Sequence, residues 1–586
     1  MKTFLKMLLA SILGGLLLLF IFFVVIASLA SFGDEKPELQ EASILKIDLN
    51  KVVLDRAQEN PFSSIDPLNM RPNEAVGLNS LLATLQKAQK DDKIEGIFLE
   101  GGIPLSGSAT LREYRNALQT FADSGKFIYG YTDVMTQTGI YLTSVVDSFF
   151  VNPEGIVEWK GLNASVTYYK EATEKLGVEP VVLRATGNRF KSAVEPFLRD
   201  DMSPENRMQL STLLNSVWDT YLKEIALAKK TSIDKLNTLA DSLLTNPKIA
   251  AKHGLIAGTL YEDEIMDKMR RRMEVEDVKD LNFVSFKDYA DGVNYNGNGS
   301  YGDAEIAIVY AQGGIEMGKG SNTAVGAETT AKAIRQARKD EDIKAIVLRV
   351  NSPGGSALAS EIIWREVDLA RKAKPVIASM GNVAASGGYY IACYADTIVA
   401  QPNTITGSIG AFGIFFTAQE LMNEKMGVNI ETVKTNHFGD LGTIDRDITP
   451  AEKQRLIKQV DRIYNTFLQR VATGRNMPLA MVDSLGQGRV YSGKNARNLN
   501  LVDVLGGLNK AVEIAGTKAG LEKYRIVEYP KLKDPIEKLL EDLGASVKAD
   551  IVTEVLGENH KHYRNLKEAL EQQGLKTHMG YHIEIQ

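Results

Sequence analysis

The chain repeats itself at long range, and this constrains its fold more than any other feature. Asp91-Asp92-Lys93-Ile94, leading to Ile97-Phe98-Leu99, matches Asp340-Glu341-Asp342-Ile343, leading to Ile346-Val347-Leu348, at an offset of 249 residues. The same offset pairs Pro104 with Pro353, Gly139 with Gly388, Tyr141 with Tyr390, Asp147 with Asp396 and Pro153 with Pro402. Further on it shortens to 246, pairing Ser203-Pro204 with Thr449-Pro450 and Leu255 with Leu501. A period this long describes two copies of one domain rather than a solenoid. Within a copy, short β-branched stretches (306–310, 345–350, 376–379, 397–400) alternate with amphipathic ones (329–338, 360–372). That alternation predicts an α/β fold with crossover helices in each copy.

Composition narrows the chemistry. With 44% hydrophobic and 24% charged residues over 586 positions, the chain can bury several cores. A net charge of −6 offers no global basic surface to nucleic acid. Cys393 is the single cysteine, which excludes an internal disulfide and a cysteine-based zinc or iron–sulfur site. None of the six histidines (His253, His437, His560, His562, His578 and His582) forms an H-E-x-x-H pair.

Residues 7–30 carry no charge, and as a helix these 24 positions would extend about 36 Å, enough to cross a hydrocarbon core of roughly 30 Å with some tilt. Lys2 and Lys6 precede the stretch and Asp34 and Glu35 follow it, so the positive-inside bias leaves the N-terminus in the cytoplasm and exports the body. Ser28-Leu29-Ala30 would suit a cleaved signal, but the apolar run exceeds the roughly 7–15 residues of a signal peptide, which favours a retained anchor. The expected plan is a cytoplasmic end (1–6), an anchor (7–30), a linker (31–43), a first repeat (44–293), an Asn/Gly linker (294–303), a second repeat (304–525) and a charged tail (526–586). The tail has helical stretches such as 535–543 but no repeat partner and no assigned function.

Two motif matches do not survive their context. Gly297-Asn298-Gly299-Ser300-Tyr301-Gly302 fits the dinucleotide fingerprint but follows a polar stretch and leads into a strand, whereas the fingerprint follows a strand and opens a helix. Gly488 to Lys494 nearly fits a P-loop, but Asn495 stands where the magnesium-binding Ser or Thr belongs.

The copies differ where chemistry could sit. After the strand ending at Val350 comes Asn351-Ser352-Pro353-Gly354-Gly355, whereas the first copy keeps Pro104 but has Leu105-Ser106 in place of the glycines. This is either an ordinary Pro-Gly turn or a backbone able to aim an amide at a developing oxyanion. Ala384-Ala385-Ser386-Gly387-Gly388 precedes an apolar helix from Tyr389 to about Ala395, and the first-copy counterpart of Ser386 is Gln137. Ser386 is either a helix N-cap or a nucleophile at a helix N-terminus. Ser408, in Thr406-Gly407-Ser408-Ile409-Gly410, corresponds to Trp159. No G-x-S-x-G elbow surrounds Ser386 and the histidines are poor bases for it, so a desolvated lysine is the alternative. Lys191 lies among Phe190, Val194 and Phe197, which could desolvate it, and beside Arg189, which disfavours its charge. Its competing role is an ion pair with Glu195 at helical spacing, against which Pro196 argues. The second copy has His437 to Asp440 there and no lysine. A lysine in one copy and a serine with a glycine turn in the other suit a site shared between the two.

At these residues the chain resembles the signal peptide peptidase A (protease IV) family in its long, duplicated form, over about residues 1–525. The signatures are 190–199 with Asp200-Asp201-Met202-Ser203-Pro204, 351–356 and 382–390. The resemblance implies two tandem crotonase-like (Clp-type) α/β domains after the transmembrane helix and a serine–lysine peptidase. By position it makes Ser386 the nucleophile, Lys191 the general base and Ser408 the residue orienting that lysine, with Gly355 and Gly387 as oxyanion donors. It implies remnant signal peptides and other short apolar peptides as substrates, a homotetramer in a bacterial cytoplasmic membrane with its catalytic body on the periplasmic or outer side, and no metal, nucleotide or organic cofactor. Arg189-Phe190 before the lysine is one variant of the family pattern. The rivals are an acyl-CoA hydratase or isomerase on the same fold, and a non-catalytic membrane scaffold in which Ser386 and Lys191 never meet.

Overall fold

The computed structural model describes residues 14–15, 39–57, 75–290, 302–321, 323–531 and 574–578. Apart from Gly14 and Gly15, the expected membrane segment lies outside these residues, as does the helical reading of 535–543. Among the described residues no helix is long and apolar enough to cross a membrane.

The first repeat builds a parallel sheet from β1 (Ser43–Asp48), β2 (Ile94–Glu100), β3 (Phe127–Met135) and β4 (Ser148–Val157). Gly258–Thr259 flanks β4 and Asn282–Ser285 flanks β1. Ile97 and Leu99 on β2, fully buried, are wrapped by α1 (Ser108–Ala122) and α2 (Pro204–Ala228), whose Leu118, Val217, Tyr221 and Ile225 enter the same core. Ser203 caps α2 by accepting the Asn206 backbone N–H, and Pro204 occupies its first turn, where a missing N–H costs nothing. Beyond the sheet, β5 (Glu179–Arg184) leaves its own repeat: Val181 and Leu183 are buried in the core of the second.

The second repeat reproduces the plan with β6 (Glu305–Gln312), β7 (Ile343–Ser352), β8 (Gly354–Ser356), β9 (Val376–Ala385), β10 (Ile405–Gly407), β11 (Phe412–Thr417), β12 (Val490–Ser492) and β13 (Arg525–Tyr529). Its sheet runs β12-β10-β9-β7-β6-β13, matching the first repeat's order of β3-β2-β1 and a late edge strand. Strands expected at 306–310, 345–350 and 397–400 form; the one expected at 376–379 continues to Ala385. The helices expected at 329–338 and 360–372 are Ala327–Lys339 and α3 (Ala357–Arg371). The apolar helix after Ser386 is shorter than expected: α4 is Gly387–Ala392, and Cys393 to Ala395 follow as buried non-helical chain. A long helix, α5 (Pro450–Gly474), corresponds to α2 and has a full capping box of Thr449 and Glu452. It is followed by α6 (Leu508–Lys518). β13 begins at the expected C-terminal limit of the repeat and carries its sheet on to Tyr529.

A third sheet ties the repeats together. In it β5 pairs antiparallel with β11, Arg184 opposite Phe412 and Glu179 opposite Thr417. A strand of the tail, β14 (Gly574–His578), lies between β11 and β8. The two halves therefore share core and sheet, and the loop after β5 is held against the second repeat.

Candidate active site

Ser386 sits where β9 ends and α4 begins, but it does not cap the helix. Its φ is +56° and its ψ −115°, and its side chain accepts no helix N–H. A non-glycine residue in this region costs roughly 1–3 kcal/mol, so the surroundings must impose it. They do so through the backbone: the Ser386 N–H donates to the Gly407 carbonyl at 2.8 Å, and its carbonyl accepts the Tyr390 N–H at 2.8 Å. Gly388 lies so close to the Ser352 carbonyl that a Cβ there would come within 2.5 Å. The hydroxyl thereby makes no cap bond to the helix.

It meets Lys191 of the first repeat. Lys191 Nζ lies 2.8 Å from Ser386 Oγ, 3.0 Å from Ser408 Oγ and 3.1 Å from the Ser408 carbonyl, all within one chain. The lysine is 1% exposed and Ser386 is fully buried. Burial alone drives the Lys191 amine well below its ordinary pKa. The expected help from Arg189 is not among the causes; desolvation suffices. The Lys191–Glu195 ion pair does not form either. Residues Ser192–Phe197 make a 3₁₀ turn, and Glu195 accepts instead from Ser203 Oγ at 2.6 Å. Phe190, Val194 and Phe197 are buried as expected, and the Phe412 ring of β11 lies with its centroid 6.0 Å from Nζ.

Segments far apart in sequence hold the lysine in place. The Phe190 N–H donates to the Gln487 carbonyl at 2.9 Å, and Gln209 of α2 donates to the Phe190 carbonyl at 3.2 Å. Gly488, at φ +81°, packs on the Lys191 backbone so tightly that a Cβ would lie 2.6 Å from its Cα. The Ser408 N–H donates to the Arg489 carbonyl at 2.7 Å, fixing Ser408 at φ +51°. Residues 487–489 therefore support both Lys191 and Ser408. The sequence marked this stretch only as a failed P-loop, and Gly488 was its one legible sign.

The glycine turn is no ordinary turn: Gly354 has φ +99°, and Gly354–Ser356 is the strand β8. A Cβ on Gly355 would fall 2.0 Å from the Ile315 carbonyl, so only glycine fits. Gly387 is the first residue of α4, a position whose backbone N–H has no partner within its own helix. Among the described residues no group of three or more His, Cys, Asp or Glu side chains is arranged to hold a metal ion. Cys393 is buried and its thiol is pushed up to about 12 by that burial, as befits a core residue.

A buried lysine touching a strained serine is an arrangement for removing a hydroxyl proton. The sequence profile described as Peptidase family S49 matches residues 120–276 and 368–522, one match in each repeat. Serine protease SPPA, chloroplastic, of Arabidopsis thaliana is 34% identical over 491 residues, covering 82% of this chain and 72% of that protein. Protease 4 of Salmonella typhi is 31% identical over 537 residues, 88% of this chain and 85% of that one. Protease 4 of Haemophilus influenzae is 32% identical over 517 residues, 86% and 83% respectively. With the profile met once in each half and the likeness running through both, the chain belongs to peptidase family S49 and is a serine peptidase.

Proposed function

We propose that the chain is a membrane-anchored endopeptidase whose nucleophile is Ser386 and whose general base is Lys191, acting on remnant signal peptides and other short apolar peptides. The observation that carries this reading is the 2.8 Å approach of Lys191 Nζ to Ser386 Oγ inside a buried site. A neutral amine has two N–H groups and one lone pair. The two Ser408 oxygens accept the N–H groups, and the lone pair then faces the Ser386 hydroxyl. Lys191 takes the Ser386 proton as Oγ attacks the peptide carbonyl, and the Gly355 and Gly387 amides stabilise the tetrahedral oxyanion. The C–N bond breaks as Lys191 returns the proton to the leaving amine, and water, deprotonated by Lys191, then releases the acyl group. Ser408 orients the amine. A scaffold whose serine and lysine never meet is at odds with that approach.

Extended peptide as substrate is supported by β14. This tail segment fills a one-strand slot between β8 and β11, with Thr577 opposite Gly355 and Lys576 opposite Phe412. A strand added at such edges is recognised mainly through its backbone, which suits peptides of varied sequence. Thr577→Pro removes a backbone N–H from that strand. It is expected to lower KM for an added peptide several-fold with kcat little changed; an unchanged KM would mean that the tail does not compete.

The substrate class rests on a relative as well. A protein of Enterococcus faecium named as a putative signal peptide peptidase SppA is 33% identical over 197 residues, 33% of this chain and 57% of that protein. The uncharged stretch at 7–30 supports an anchor in a bacterial cytoplasmic membrane with the body on its outer side. We read each repeat as a crotonase-like (Clp-type) domain and the assembly as a homotetramer. The decisive experiment incubates the detergent-solubilised full chain with an unstructured Leu/Ala-rich peptide and, separately, with an enoyl thioester. Peptide cleavage without thioester hydration is the expected outcome. Hydration of the thioester with the peptide left intact would overturn the reading.

A further inference from the structure

Arg349 on β7 is fully buried, and both carboxylates that neutralise it come from the first repeat. Its Nε donates to Asp55 Oδ1 at 2.7 Å, its Nη2 to Glu113 Oε1 at 2.9 Å and its Nη1 to Ser379 Oγ at 2.9 Å. The remaining carboxylate oxygens are also engaged. Glu113 Oε2 accepts the Leu508 N–H at the start of α6 at 2.7 Å, and Asp55 Oδ2 accepts from Asn351 Nδ2. A buried ionic cluster with every oxygen met is rigid, because moving one member strands a charge.

Asn351 carries that rigidity toward the chemistry. Its Oδ1 accepts the Val383 N–H at 3.1 Å, so its amide has a single orientation that satisfies both Asp55 and Val383. The ladder between β7 and β9 breaks at this point: Val350 pairs with Met380, but Ser352 pairs with Ala384. β9 thus advances four residues while β7 advances two. A bulge of this kind re-aims the strand beyond it, and here the strand beyond leads through Ala385 to Ser386. Gly381, inside the bulge, is packed so that a Cβ would come 3.1 Å from both Asn351 Cβ and Asp55 Oδ2. In the other direction Asn351 opens the turn that ends in Gly354 and Gly355.

We propose that Asp55 is a positioning residue for the nucleophile: clamped by Arg349, it fixes the Asn351 amide, and Asn351 pins the bulge that aims Ser386. The first repeat then supplies the anchor of the serine as well as its base. In the first repeat, 249 residues earlier, Arg349 and Asn351 are replaced by Glu100 and Gly102, so that half lacks this device as it lacks the serine. The inference rests on Ser386 being the nucleophile.

Exchange of the two groups tests it. Asp55→Asn sets a donor against the Asn351 donor, and Asn351→Asp sets carboxylate against carboxylate; Asp55→Asn/Asn351→Asp restores one donor and one acceptor with the charge conserved. A misplacement on the order of 1 Å costs about a hundredfold in rate. Each single variant is therefore expected to lose between about tenfold and about a hundredfold in kcat with KM within about twofold, and the exchange to recover most of it. Unchanged kcat in folded single variants, or an exchange that restores Tm but not kcat, would overturn the proposal. If the single variants do not fold, the exchange alone decides, since kcat within about tenfold of wild type supports the relay and a greater loss refutes it. If the wild type cleaves no peptide, the peptidase reading fails by itself. Hydrogen exchange at the Val383 amide then still reads the anchor: faster in Asp55→Asn than in wild type supports it, and unchanged exchange refutes it.

Discussion

Ser386→Ala and Lys191→Met are each expected to reduce peptide cleavage by about 10⁴-fold or more, and the double variant to be no slower than either alone. The two groups act in one step, the transfer of the Oγ proton to Nζ across 2.8 Å, so removing either removes the whole step. Two independent contributions would instead multiply. Ser408→Ala should cost less, on the order of 10- to 100-fold, because Lys191 keeps the Ser408 carbonyl as an acceptor and loses only one of two oriented contacts. The measurement is cleavage of the Leu/Ala-rich peptide under single turnover, with folding checked by circular dichroism. Losses that multiply in the double variant, or a single variant within about tenfold of wild type, would remove the dyad.

How much of this was legible in the sequence depends on how local each signal was. The duplication gave two sheets of the same strand order, and the difference between the copies gave Ser386, Lys191 and Ser408. Which role Ser386 plays could not be read from its type, because a helix N-cap and a nucleophile demand the same residue in the same place. The φ of +56° and the missing cap bond separate them, and both are imposed by Gly407 and the Ser352 carbonyl, partners that no periodicity announces. Lys191 posed the opposite problem: its apolar neighbours were visible, but β11 and residues 487–489, which also pack on it, lie more than two hundred positions away. The pairing of Asp55 with Arg349 spans a similar distance and leaves no local trace. The tail strand was illegible for another reason, since five residues without a repeat partner show no pattern until the slot they fill is seen.

Activity should also depend on pH in a way that separates a neutral lysine from a charged one. Below the Lys191 pKa the ammonium has no lone pair to accept the Ser386 proton, so kcat/KM is expected to fall about tenfold per pH unit on the acid side and to reach a plateau above it. The same group sets a stability signature. Its pKa in the folded chain is lowered by burial, whereas in the unfolded chain it is about 10.4. Between those values the unfolded state binds the proton and the folded state does not. Stability of the wild type therefore rises with pH across that window and stops rising once the unfolded lysine is also neutral. Lys191→Met carries no such group. Its Tm relative to wild type should be most favourable at the acid end of the window and should decline as pH approaches about 10.4. Lys229, whose partly buried amine is lowered to about 8, titrates in both proteins and cancels from the difference. A Tm difference that stays flat across the window would mean that Lys191 is charged in the folded enzyme, and a charged Lys191 cannot be the base.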